Sequence, residues 1–142
     1  MFNSVKQAQA DLPDSPLFRL LQASRNHRLH PGLVLVGIVH LDPQFVLELR
    51  WPAVDTSAQW VQSGEDVVML PSAVSRLLAW HAARQRMDRH HALRWPGSDH
   101  VLVDQRGCRF DDDSADVAMR YFCAQIGLPA IPFSALRHPC LR

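Results

Sequence analysis

The stretch "VLVGIVHLDPQFVLELRWPAVD", Val34 to Asp55, decides how this chain is read. From Leu33 to Leu41 it is apolar on every side, so it is a buried helix or a buried strand, and periodicity alone does not choose. Asp42-Pro43 then gives a helix start: a carboxylate to cap free N–H groups, followed by a proline whose fixed φ suits the first turn. The spacing predicts a short helix over "PQFVLELRW" with Phe45, Val46 and Leu49 facing inward, ended by Pro52.

Upstream, residues 1–13 are polar and lack apolar periodicity, which predicts a loose tail and a single domain over 14–142. Asp14-Ser15-Pro16 repeats the cap-and-proline signal. Leu17, Leu20, Leu21 and Ala23 form a stripe that predicts a helix to about Leu29, with "HPG" at 30–32 as a break. Downstream, Gln59–Gln62 and Val67–Leu70 flank Ser63-Gly64 and predict a hairpin. Pro71-Ser72 opens the longest helix, to about His91, with Val74, Leu77, Leu78 and His81 on one face. A third short strand is expected at Val101–Val103. A helix follows Asp111–Asp113, whose charges suit its N-terminus, and Gly127 is its expected C-cap. A last helix is expected from Ser134. The fold class is mainly α with a small antiparallel β-sheet.

Composition narrows the function. A chain of 142 residues with 47% apolar and 20% charged residues fits one globular domain with a core of its own. The formal net charge of +1 argues against a wholly basic nucleic-acid binder, though a local patch remains compatible. Lys6 is the only lysine, so chemistry that needs a lysine acid has one candidate, in the tail. Three widely spaced cysteines, Cys108, Cys123 and Cys140, and no visible signal or membrane-length apolar run predict reduced thiols in a cytoplasmic protein. A zinc set of His100, Cys108, His138 and Cys140 can be drawn, but no paired ligand spacing supports it, and no metal or other cofactor is expected.

Four stretches in order give a resemblance. "VLVGIVHLDPQFVLELRWPAVD", "DVVMLPSAVSRLLAWHAAR", "VLVDQRGCRFDDDSADVAMRYFCAQIGL" and "FSALRHPCLR" together resemble the catalytic domain of tyrosine recombinases of the phage integrase type, from about Leu17 to Leu141. That resemblance implies a domain built to hold a scissile DNA phosphate between two arginines, with a hairpin lysine, box histidines and a late nucleophilic tyrosine. The second arginine falls on Arg137, and His138 follows it. The box's first histidine falls on Ser134, and the first arginine falls on Asp42. The hairpin tip is Gln62-Ser63-Gly64-Glu65, with no lysine, and Tyr121 lies before the box, at no nucleophile position. The chain is therefore expected to lack the family's C-terminal helices and to be no enzyme by itself.

Several readings stay open at this level. Arg137 with His138 contacts phosphate, or Arg137 caps the last carbonyls or pairs with an acid such as Asp104 or Asp42. Arg76, Arg84, Arg86 and Arg89, with Arg94, His81, His90 and His91 nearby, track DNA backbone or form a solvated face. Trp51, Trp60, Trp80 and Trp95 are core or interface residues. Leu136 is core, and an apolar groove beside it would receive a helix from a second copy or another protein. The functions to weigh are an inactive integrase-like domain that binds double-stranded DNA or a partner such as an intact recombinase, in the service of a mobile element; an α-rich protein-interaction module; and a recombinase fragment complemented in trans.

Overall fold

A computed structural model describes residues 15–96 and 99–141. The expected tail, 1–13, lies outside them. Helix α1 runs Pro16–Ala23, α2 His30–Gly37, α3 Pro43–Glu48, α4 Ser72–His91 and α5 Asp112–Gln125. Strands β1 (Val54–Asp55), β2 (Trp60–Ser63) and β3 (Asp66–Met69) make one antiparallel sheet in the order β1-β2-β3. The architecture is the expected one, mainly helical with a small antiparallel sheet. No helix among the described residues is long and apolar enough to cross a membrane.

The apolar stretch resolves as a helix. Pro31 to Gly37 are all buried, which makes α2 the centre of the core, packed by α1, α3 and α4. "HPG" is not a break. Pro31 sits in the first turn of α2, where its missing N–H is harmless, and Gly32 is needed for packing. A Cβ on Gly32 would lie 2.7 Å from Leu102 Cδ1. The break falls earlier. α1 ends at Ala23, not Leu29, because Ser24 is buried and the turn after it is closed by His27 N–H to the Ser24 carbonyl at 2.8 Å.

Asp42 caps α3 as expected, accepting from Gln44 N at 2.9 Å and Phe45 N at 3.1 Å. Val46 and Leu49 are buried and Phe45 packs partly against the core. The helix stops at Glu48, before Pro52, because Leu49 turns extended to meet a distant segment. The Leu49 carbonyl accepts from Val101 N at 2.9 Å, and Trp51 N donates to the Asp99 carbonyl at 2.9 Å. The same pairing corrects the expected third strand. Val101–Val103 are buried but form only isolated bridges, Arg50 with His100 and Val103 with Arg109.

The hairpin, α4 and α5 follow their local signals. Gly64 takes the positive φ of the β2–β3 turn. α4 buries Val74, Leu78 and His81, with Leu77 half-buried. Asp111 and Ser114 form a reciprocal cap at the start of α5. Gly127 stands one residue past the C-cap, Ile126, at φ +69°, and lets Leu128 N bond back to the Cys123 carbonyl at 2.9 Å. The last expected helix is replaced by two 3-10 turns, Phe133–Ala135 and Pro139–Leu141. Pro139 cannot continue a helix from Ser134. Phe133 N donates to Asp116 Oδ1 at 2.9 Å, tying the first turn to α5.

Candidate functional site

Arg137 leaves the turn after Phe133–Ala135 and reaches the loop ahead of α3. Its Nη2 lies 3.5 Å from Asp42 Oδ2, and its Nη1 makes a long contact, 3.5 Å, to the His40 carbonyl. His40 itself holds a left-handed backbone, φ +68°. Asp42 thus does two jobs, capping α3 and neutralising Arg137. The neighbouring box residues are on the surface. Ser134 and His138 are exposed, and His138 Nδ1 accepts from Cys140 N at 3.1 Å, which fixes Nδ1 as the acceptor. Leu136 is fully buried within the chain's own core, so the expectation of an open apolar groove finds no support at that residue.

The α4 arginines do not form one stripe. Arg76, Arg86 and Arg89 are exposed. Arg84 is half-buried, with its guanidinium carbon 5.4 Å from the Trp80 ring centroid and Nη1 enclosed without a hydrogen-bond partner. Burial and the Arg28 charge make its proton easier to lose than usual, although Asp88 opposes this. Arg89 sits 5.3 Å over Trp95. Arg86 and Arg89 share the rim of a cavity of about 530 Å³ with Trp51 and Asp99. None of the four tryptophans is fully buried, contrary to a pure core role, and Trp80 is 54% exposed. Met87, two turns on from Trp80, is exposed on the same face of α4.

Sequence reasoning missed a polar cluster where the turn after α1 and the start of α2 meet α4. Arg28 grips Asp88 through two bonds of 2.8 Å. His30 Nδ1 is 2.9 Å from Ser24 Oγ, and the His30 and His81 rings are 6.4 Å apart. His81 is only 6% exposed, and its Nε2 has no partner. Burial pushes His30 down to about 4, helped by the Arg25 charge. Burial, His30, Arg84 and Arg28 push His81 down to about 3. Both rings are neutral at pH 7. The apolar spacing of His81 on α4 was the one sequence signal for this cluster.

The remaining candidates stay apart. Tyr121 is exposed on α5, where its hydroxyl accepts from Gln125 Nε2 at 2.9 Å. It lines a cavity of about 650 Å³ with His27, Arg28 and Arg106, away from the Arg137–Asp42 contact. The hairpin tip carries Gly64 and Glu65 on the surface. His100 is buried, while Cys108, His138 and Cys140 are exposed. Among the described residues no three His, Cys, Asp or Glu side chains are grouped to hold a metal ion.

No family model matches the sequence, and no curated protein matches it. Among solved structures the chain is similar to the crystal structure of XerA recombinase, with a TM-score of 0.68 and 18% identity. The likeness covers 87% of this chain and 46% of the recombinase, so this chain spans less than half the length of the protein it matches. At that identity the likeness establishes a shared fold.

Proposed function

We propose that this domain binds duplex DNA through its phosphates and does not cut it. The observation that carries the reading is the contact between Arg137 and Asp42. The sequence resemblance puts the two phosphate-holding arginines at these two positions, and the fold brings the two positions together. An acid now stands where the second cation is required, and it takes the remaining arginine as its partner. A phosphoryl transition state gathers negative charge, so a carboxylate at that point raises the barrier that an arginine would lower. Ser134 in place of a histidine and a hairpin tip without lysine remove two proton donors as well. What persists is an exposed arginine held by a long ion pair and a long contact to the His40 carbonyl, with exposed arginines on α4, on a fold similar to that of a recombinase.

The test is duplex binding across a salt series, alongside a nicked duplex that traps covalent intermediates. The expected result is affinity that falls with salt at a log–log slope of about −0.9 per phosphate contacted. Asp42→Asn keeps the α3 cap and frees Arg137, so it tightens binding several-fold, and Arg137→Ala weakens it. No protein–DNA adduct forms. An adduct, or no binding at low salt by either the native protein or Asp42→Asn, would falsify the reading. A second reading, a protein-interaction module, is favoured by Trp80 and Met87 on the outer face of α4. It predicts self-association or partner binding that Trp80→Ser abolishes.

A further inference from the structure

We propose that the cavity between α4 and the segment from Trp51 to Thr56 is a site for an unpaired base of single-stranded DNA. The inference deepens the proposed DNA role, but it rests on different residues from the Arg137–Asp42 contact.

Trp51 is the floor of the argument. Its Nε1 donates to Gln85 Oε1 at 2.6 Å, and Gln85 Nε2 donates to the His100 carbonyl at 3.0 Å. Both polar ends of Gln85 are therefore committed, and the indole's single donor is spent. The indole is held in one orientation before any ligand arrives, and what it has left to offer is π surface. Pro52, Val54 and Ala82 add apolar wall. A cavity of about 530 Å³ falls within the usual range for small-ligand sites, and it accommodates one nucleotide.

The charge pattern selects the ligand. Arg86 is exposed and has no ion pair among the described residues. Arg89 stands on the same rim, oriented by the Trp95 ring beneath it. The one acid on the lining, Asp99, is already paired with Arg50 at 2.9 Å. An apolar aromatic floor with cations at its edge fits a flat base attached to a phosphate. A base inside a duplex cannot use such a floor, because both of its faces are covered by neighbouring pairs. An unpaired base can, and stacking on an aromatic side chain tolerates any base.

The experiment compares labelled ten-residue strands, oligo-dA against an abasic strand of the same charge, by fluorescence anisotropy at fixed salt. The native protein is expected to bind oligo-dA on the order of ten-fold more tightly than the abasic strand. Trp51→Leu removes that preference, read as the ratio of oligo-dA to abasic affinity. Arg86→Ser weakens both strands together. Trp51→Phe restores part of the preference, because a ring returns without the Gln85 bond. Equal binding of oligo-dA and the abasic strand by the native protein overturns the proposal, and that comparison needs no variant to fold. A base preference that survives Trp51→Leu in a folded protein also overturns it. The duplex reading fails separately, through loss of Arg137-dependent duplex binding with the base preference intact.

Discussion

Two of the arginine–aspartate pairs among the described residues, Arg28–Asp88 and Arg137–Asp42, differ in geometry and exposure. Arg28 and Asp88 meet through two bonds of 2.8 Å, with side chains 26% and 15% exposed. Arg137 and Asp42 meet once at 3.5 Å, with side chains 45% and 58% exposed. The first pair joins the turn after α1 to α4 and is surrounded by His27, His30, His81 and Arg84. The pair is largely shielded from water and ties two elements together, so it is part of the fold. The second pair is open to solvent, and a competing anion can replace Asp42. One pair fixes two elements; the other leaves a cation in reserve.

Acid offers the largest way to break this contrast. His30 and His81 titrate at about 4 and about 3 in the fold, below the ordinary value of 6.5. A lowered folded value means that the unfolded chain takes up protons first. The stability these rings contribute is complete above pH 6.5 and drains as pH falls toward 4 and then 3. Between pH 6.5 and 4 the loss is on the order of 3 kcal/mol per histidine. Urea midpoints at pH 7 and pH 4.5 read it directly, and His30→Gln with His81→Gln makes the profile shallower, leaving the smaller part that burial of His27 and His100 supplies. A flat profile in the native protein would mean that the two rings are solvated.

Asp88→Asn is the next largest effect. It strands Arg28 and removes the Asp88 charge that helps Arg84 hold its proton. Removing one partner of such a pair costs about 3 kcal/mol, at the lower end for buried pairs because the edges are partly wet. The check is the urea midpoint at pH 7, with Asp42→Asn measured beside it. Equal small losses for both variants would erase the distinction between the two pairs.

The sequence disclosed whatever was local. The Asp42-Pro43 cap, the Gly64 turn, the face of α4 and the Gly127 stop are each set by a few neighbouring residues, and each stands where it was expected. What stayed hidden was set by distant partners. α3 ends early where Leu49 pairs with Val101, and the segment around Val101–Val103 finds only isolated bridges to distant residues instead of a strand partner. Gly32 is a packing residue only because Leu102 lies over it. The sites divide in the same way. Asp42 is one of the two acids the sequence offers Arg137, and the fold selects it. The apolar spacing of His81 marked one member of the polar cluster, but His30 and Asp88 carried no such signal, because it takes the meeting of α2 and α4 to bring them together.

The smallest expected effect separates the pairs most cleanly. Asp42→Asn keeps an oxygen for Gln44 N and Phe45 N, so the α3 cap survives, since asparagine caps about as well as aspartate. Only the charge opposite Arg137 is lost. An exposed pair of this kind contributes at most about 1 kcal/mol, and its long distance favours the low end of that range. The urea midpoint is therefore expected to move by less than half as much as for Asp88→Asn. Asp42→Ala, which removes cap and charge together, exceeds Asp42→Asn by about 1 kcal/mol. If the two variants at 42 proved equal, the carboxylate would act on Arg137 alone and the cap would be idle. If Asp42→Asn matched Asp88→Asn, the outer pair would be as structural as the inner one, and Arg137 would have no freedom to exchange its partner for a phosphate.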